Sequence, residues 1–334
     1  MHAARWVVLA ATVLTLAPAP VGSAAPKEKV AEAIQLGLKA LEKGDADGAI
    51  AAFTRAIQLD PKNAKVYLFR GDAYGRKGDY PKALADYNQA AALDPKDPDV
   101  FLARGTFFAF VDDPKFRDPA KAEADFTRVI ELDPKNVFAY SNRGLLYMDQ
   151  EPDKAIANFT KALAIDPKAG HLYINRGSAH LNKKDYAKAI ADFTRAIDLN
   201  PKDFSAYLAR AAAYRSQKEY AKARDDLEKA IEADPKFFGT YIDLAWLLAT
   251  APDPKVRDGT RAVALAQKAV ELTKETEPRA LEALAAALAE TGQFAEAVTA
   301  QKKALATPGI PKEELERAQM RLKLYEAKKP YREE

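Results

Sequence analysis

The chain has 334 residues, of which 48% are hydrophobic and 30% are charged, a composition typical of a folded protein rather than a disordered one. Its 51 Lys and Arg residues nearly balance 48 Asp and Glu residues, so the formal net charge is only +3. That balance argues against a dedicated nucleic-acid-binding protein, which normally carries a basic face. The absence of cysteine excludes disulfides, thiolate chemistry and Cys-based zinc sites.

Residues 1–24 are predicted to be a secretory signal peptide. Arg5 precedes an apolar run from Trp6 to Ala17, and small residues follow, with cleavage expected after Ala24. The alternative, an uncleaved membrane anchor, is disfavoured because spanning a bilayer takes about 20 apolar residues. No later segment is long and apolar enough to cross a membrane. We therefore expect an exported protein, periplasmic or extracellular, with no stable membrane insertion after cleavage.

Residues 25–309 repeat with a period near 34 residues. Prolines that follow Asp or Asn mark the period, at Pro61, Pro95, Pro134, Pro167, Pro201 and Pro235. Each repeat contains two predicted helices with small and aromatic residues spaced i, i+4, i+7. In the second repeat these residues are Tyr67, Gly71 and Tyr74, followed by Ala83, Tyr87 and Ala90. Between them, Gly78 can take a positive φ after a helix end. The pattern occurs in eight repeats and is weakest in the first repeat and the last two.

This pattern resembles the tetratricopeptide-repeat (TPR) family over nearly the whole chain after residue 25. The resemblance implies an all-α fold, a right-handed superhelical solenoid of about eight helix-turn-helix units. Stacking is required because one hairpin cannot bury its apolar side alone. Residues 310–334 are predicted to form a C-terminal capping helix and tail. The amphipathic helix would run from Pro311 to Lys329, with its apolar residues at Leu315, Met320, Leu322 and Leu324.

One charged position recurs from repeat to repeat. In five repeats an arginine directly precedes the small residue of the first helix, at Arg70, Arg104, Arg143, Arg176 and Arg210. The second helices carry matching polar residues, at Asp86, Asp125, Asn158, Asp192 and Asp226. These arginines could form a ladder that binds an anionic ligand, or each could pair with its partner inside one repeat. Repeats without the arginine also lack its partner. In one of them Leu244 replaces the arginine and Leu265 replaces the partner, and this favours the internal pair.

The sequence offers little for catalysis or metal binding. The three histidines are His2, His171 and His180, and His180 occupies an aromatic column where packing is expected. No glycine-rich phosphate loop and no Ser/His/Asp arrangement is evident. We therefore expect no enzyme activity, no cofactor and no metal.

The resemblance further implies that the first helix of each repeat lines a concave groove that binds a protein or peptide partner. The candidate groove residues are Phe69, Asp72, Asn142, Leu145, Met148, Ile174, Asn175, Ser178, Leu181 and Trp246. Asn142 and Asn175 could hydrogen-bond an extended peptide or could simply face solvent. The predicted function is a non-catalytic interaction scaffold. The alternative, a ligand- or glycan-binding envelope receptor, rests on the aromatic residues Phe69 and Trp246.

Overall fold

The computed structural model describes residues 26–307 and 310–333, so the predicted signal peptide lies outside the described residues. The chain divides into two compact units, unit 1 up to Asp166 and unit 2 from Pro167 onward. Within the described ranges every regular element is an α-helix. The expected all-α class is therefore confirmed.

The helices follow one another along the chain with only short connections. Unit 1 contains α1 (Pro26–Glu42), α2 (Ala46–Leu59), α3 (Ala64–Lys77), α4 (Tyr80–Leu93), α5 (Pro98–Phe110), α6 (Pro119–Leu132), α7 (Val137–Tyr147) and α8 (Pro152–Ile165). Unit 2 contains α9 (Gly170–Asn182), α10 (Tyr186–Leu199), α11 (Phe204–Ser216), α12 (Tyr220–Ala233), α13 (Phe238–Thr250), α14 (Gly259–Leu272), α15 (Pro278–Glu290), α16 (Phe294–Leu305) and α17 (Lys312–Glu326).

Each odd-numbered helix up to α15 packs on the even-numbered helix that follows, which gives the eight predicted hairpins. Successive hairpins also stack on each other within each unit. Odd-numbered helices touch one another, α1 on α3, α3 on α5 and α5 on α7 in unit 1, and α9 on α11 and α13 on α15 in unit 2. The odd-numbered helices of a unit therefore share one surface, which we call its first-helix face.

Local sequence signals set the helix ends. The side chains of Asp45 and Asp258 accept hydrogen bonds from backbone N–H groups three residues ahead, at 2.8 and 2.9 Å, and so cap α2 and α14. Gly78 ends α3 with φ 83°, as predicted, and Lys184 takes the same left-handed region at φ 60° after α9. Five second helices, α2, α4, α6, α8 and α12, end at an aspartate followed by proline, as at Asp60.

Close contact between the two helices of a hairpin depends on the small-residue column. A Cβ on Gly144 would lie 2.8 Å from the Phe159 ring, and one on Gly177 would lie 2.6 Å from the Phe193 ring. Both rings are fully buried. In the sixth hairpin the column holds Ala211, and the aromatic position holds a leucine. The aromatic ring therefore takes the space that a side chain on the first helix would need.

The predicted terminal helix α17 packs on α16, and three of its four predicted apolar residues, Leu315, Leu322 and Leu324, are half-buried. Its buried side chains are Ala318, Arg321 and Tyr325, and Met320 is 48% exposed. Residues 318, 321 and 325 are spaced i, i+3, i+7 and share one helix face. Leu315 and Leu322 lie at the edge of that face, whereas Met320 points away from it.

Candidate interaction surfaces

The arginine column forms the predicted pairs inside each hairpin. Four arginines each donate two hydrogen bonds, through Nε and Nη2, to both oxygens of one aspartate at 2.7–2.9 Å. The pairs are Arg70–Asp86, Arg104–Asp125, Arg176–Asp192 and Arg210–Asp226. Arg143 donates to the amide oxygen of Asn158 at 2.9 Å. Because this two-pronged geometry engages the guanidinium internally, the arginines stabilise hairpins and do not form an anion-binding ladder.

Sequence reasoning missed a third bond from these arginines. Their Nη1 atoms donate to the second helix of the preceding hairpin at 2.9–3.1 Å, in the pairs Arg70–Thr54, Arg104–Asn88, Arg143–Thr127 and Arg210–Thr194. The signal for this bond is the threonine, replaced by Asn88 in one repeat, that recurs directly after the aromatic column. Each of these arginines therefore joins two neighbouring hairpins.

Unit 1 holds five of the predicted groove residues, and three of them are engaged inside the protein. The Phe69 ring lies 5.7 Å from the Phe53 ring. Asp72 accepts a 2.7 Å hydrogen bond from the Tyr87 hydroxyl, and burial raises the pKa of Asp72 to about 6. Asn142 is 6% exposed and donates to Thr106 Oγ1 at 3.1 Å.

The other two unit 1 candidates are Leu145 and Met148, which are half-buried on α7 and just beyond its end. Four unit 2 candidates lie on α9. Asn175 is half-buried there, and Ile174 and Leu181 pack partly against the cluster around Phe193. The Ser178 hydroxyl donates to the Ile174 carbonyl at 2.8 Å. Among the candidates, unit 1 therefore presents apolar residues and unit 2 presents apolar residues with the amide of Asn175.

The remaining candidate, Trp246 on α13, contacts a segment that the sequence analysis did not connect with it. This segment, the C-terminal tail, comprises the described residues 328–333. Beyond α17 the chain turns at Lys328, with φ 55°, and the Tyr331 ring comes to lie 5.8 Å from the Trp246 ring. The Arg321 guanidinium lies 5.2 Å from the Trp246 ring and 5.9 Å from the Tyr331 ring, within cation–π range.

The end of the tail binds the C-terminal ends of first helices. The last carbonyls of a helix have no partner within it. At the end of α13 the Glu333 N–H donates to the Thr250 carbonyl at 2.9 Å, and Arg332 donates to the Ala249 carbonyl at 3.4 Å. Arg332 lies 2.5 Å from the Glu290 carboxylate, and Glu333 pairs with Arg215 at 2.6 Å. The tail thus contacts α11, α13 and α15.

A cleft of about 200 Å³ shares Arg215, Trp246 and Arg321 with the surface that holds the tail. The other side chains around it include Ile242, two further arginines and three acids, namely Arg279, Arg317, Asp243, Glu282 and Glu314. Asp243 pairs with Arg279 at 3.0 Å, and Glu282 pairs with Arg321 at 2.9 Å. Burial raises the pKa of Asp243, while the neighbouring Arg279 lowers it. The cleft is therefore strongly charged, with one aromatic wall.

Titratable groups elsewhere do not converge on one place. The carboxylates with raised pKa values, at Asp72, Asp99 and Asp243, lie on three different helices. Burial lowers the pKa of His180, which is half-buried as expected for its column. Across residues 26–307 and 310–333, no group of three or more His, Asp or Glu side chains is arranged to hold a metal. No helix in those ranges combines the length and apolar character needed to span a bilayer.

Comparison with known families agrees with the repeat geometry. The tetratricopeptide-repeat family model matches residues 34–98, 115–170, 149–204 and 174–236, more than half of the chain. The chain belongs to the tetratricopeptide-repeat family. TPR repeats mediate protein–protein interactions and are typically non-catalytic. No curated protein was found that matches the sequence.

Several solved structures share the TPR fold with this chain. A TPR protein from Parabacteroides merdae is 19% identical, with a TM-score of 0.56 over 90% of this chain and 99% of that one. Yeast Tom70 is 20% identical, with a TM-score of 0.56 over 94% and 66%. PilF from Pseudomonas aeruginosa is 17% identical, with a TM-score of 0.54 over 63% and 94%. At these identities the likeness concerns the fold alone.

Proposed function

We propose that this TPR protein is a non-catalytic scaffold that binds a protein or peptide partner on its first-helix faces. The observation that carries the proposal is the C-terminal tail. Tyr331, Arg332 and Glu333 form a peptide that binds unit 2 through a backbone hydrogen bond, an aromatic contact and ion pairs. Backbone bonds combined with side-chain contacts are the usual means by which proteins hold extended peptides.

The charged cleft supports a peptide partner better than the alternatives. A glycan receptor would be supported by a closed pocket with aromatic walls, but the cleft has one aromatic wall, Trp246, among seven charged side chains. The second aromatic residue behind that alternative, Phe69, packs on Phe53 in unit 1. Acid–base catalysis is not favoured either, because Asp243 and Glu282 are each engaged in an ion pair with an arginine.

Site-specific photo-crosslinking in cells tests the proposal. A photoreactive amino acid replaces Ser178 on α9 or Ala212 on α11, both on the first-helix face of unit 2. Matched controls carry it at Lys161 on α8 and Arg195 on α10, which are exposed on second helices. We expect one discrete adduct of the same mass from both first-helix positions and none from the second-helix positions. Adducts from Lys161 and Arg195 alone would move the binding surface to the second helices and contradict the proposal.

We also propose that the protein is exported, periplasmic or extracellular. The basic, apolar and small-residue order of residues 1–24 supports this. Deleting those residues should leave the protein in the cytoplasm, and intact-mass measurement of the exported product should place its first residue near Ala25. A product that retains residues 1–24 would contradict cleavage.

A further inference from the structure

The C-terminal tail occupies a surface that could otherwise bind a peptide from another molecule. It fills acceptor positions at the end of α13, where the Ala249 and Thr250 carbonyls bond Arg332 and the Glu333 N–H. Trp246 contacts the tail through its ring, and Arg215 through its guanidinium. Each of these groups offers a generic interaction, namely a carbonyl acceptor, an aromatic face or a cation, and none requires that the ligand be covalently attached.

The tail is held by contacts that open easily. Arg215 and Glu333 are each 28% exposed, and Arg332 is 36% exposed. Ion pairs that keep this much contact with solvent contribute less to stability than fully buried pairs do. Residues 330–333 are all half-exposed, and they follow the last described helix of the chain. Segments with few buried contacts open locally at low free-energy cost.

We propose that the tail is an internal ligand that blocks the unit 2 site until a partner segment of the same chemistry displaces it. This inference rests on the proposed function and deepens it. The partner segment is extended and carries an aromatic residue followed two positions later by an acidic one. The ring takes the place of Tyr331 beside Trp246 and Arg321, and the carboxylate takes the place of Glu333 on Arg215.

The cleft explains how a partner could bind more tightly than the tail. It shares Arg215, Trp246 and Arg321 with the tail site, so a longer segment bound there would also enter the cleft. Arg317 is an exposed cation on its α17 wall, and Arg279 keeps 62% of its side chain exposed although it pairs with Asp243. Further acidic residues in the partner would meet these arginines, and the partner would gain ion pairs that the short tail does not make.

The test uses Trp246 as its reporter. The chain contains two tryptophans, Trp6 and Trp246, so Trp6→Phe leaves Trp246 as the only one. The probe is a synthetic peptide with the sequence of residues 328–334, KKPYREE, titrated against the full-length Trp6→Phe protein and against the same protein carrying Tyr331→Ala and Glu333→Lys. A control peptide carries the same two replacements. Circular dichroism melting checks that the variants fold alike.

We expect the probe to change the Trp246 fluorescence saturably and to bind the tail variant about 10-fold or more tightly than the Trp6→Phe protein, because an internal competitor lowers apparent affinity by the fraction of open sites. The control peptide should bind at least about 10-fold more weakly than the probe. Adding Arg215→Glu to the tail variant should weaken probe binding by a similar factor. If the double tail variant fails to fold, Glu333→Lys alone replaces it, and the probe should again bind this variant more tightly than the Trp6→Phe protein.

Equal probe affinity for the blocked and unblocked proteins would overturn the proposal, since the tail would then not compete. Absence of a fluorescence change at about 1 mM probe, where only very weak binding escapes detection, would also overturn it. The outcome is separable from the proposed function, because the probe is the chain's own sequence. Crosslinks at Ser178 and Ala212 without probe binding would retain the scaffold and reject the internal ligand. Probe binding without crosslinks would show that the tail competes for the unit 2 site, and it would count against a partner at Ser178 and Ala212.

Discussion

At the scale of single residues, the bonds of Arg210 show how one side chain serves two hairpins. It donates twice to Asp226 within its own hairpin and once to Thr194 of the preceding one, and 17% of its side chain remains exposed. The pair with aspartate could be predicted, because arginine and its partner occur together in the sequence. The threonine bond could not, because it depends on how closely neighbouring hairpins stack.

Removing one member of this pair leaves a charge without its partner. We expect Arg210→Leu or Asp226→Leu each to lower the free energy of unfolding by about 2–3 kcal/mol, below the full cost of a buried pair because the arginine is partly exposed. The double variant should recover much of the loss, since Leu244 and Leu265 occupy these columns in the next hairpin. Urea titrations of a double-mutant cycle measure the coupling.

The matched control is Asp226→Asn, which recreates the Arg143–Asn158 pair already present in the chain. It should cost only about 1 kcal/mol, because the hydrogen bond to Nε is retained. A coupling energy near zero between Arg210 and Asp226 would contradict the pairing.

Asp72 should make stability depend on pH in a defined window. Burial raises its pKa to about 6, above the value of about 3.9 expected in the unfolded chain. Between these values the folded state binds more protons, so the free energy of unfolding falls as pH rises from about 4 to 6. Asp72→Asn keeps an acceptor for the Tyr87 hydroxyl and should gain about 1–3 kcal/mol relative to the natural protein across that window. Parallel stability curves would contradict this.

At the scale of helices, the small-residue column controls how closely the two helices of a hairpin approach. Gly144→Ala should cost about 1–3 kcal/mol, because its Cβ would lie 2.8 Å from the buried Phe159 ring. Gly144→Leu should cost more. Ala211→Gly is the matched control, since the same column tolerates alanine there, and it should cost about 1 kcal/mol through helix propensity. Unchanged unfolding midpoints for both Gly144 variants would show that the repeat register is wrong.

Helix positions were largely readable from the sequence because each hairpin contains its own periodic pattern and turn residues. The eight hairpins and the terminal helix follow from that pattern. The burial of Arg321 and Tyr325 on α17 and the position of the tail did not follow, because they depend on contacts between distant parts of the chain. Glu333 and Arg215 are separated by 118 positions. Trp246 was among the predicted site residues, but its contact with Tyr331 required the structure.

At the scale of the whole molecule, the near-neutral charge and the family point to protein partners. The +3 net charge provides no strong field to attract nucleic acid. Unit 1 presents Leu145 and Met148 on its first-helix side, and unit 2 presents the α9 residues, Trp246 and the charged cleft. The side-chain amide of Asn142, by contrast, donates a hydrogen bond to Thr106 inside the protein. The candidates that are buried and bonded inside the protein, such as Asn142, therefore serve packing rather than a surface.

The most direct test of the account measures how tightly the partner captured at the first-helix face binds two purified full-length variants. Ala212→Arg places a bulky charge at an exposed first-helix position, and Arg195→Glu changes an exposed second-helix position. The account predicts that Ala212→Arg weakens binding about 10-fold or more, equivalent to about 1.4 kcal/mol, and that Arg195→Glu stays within about twofold. Unchanged affinity for Ala212→Arg together with a loss for Arg195→Glu would contradict it.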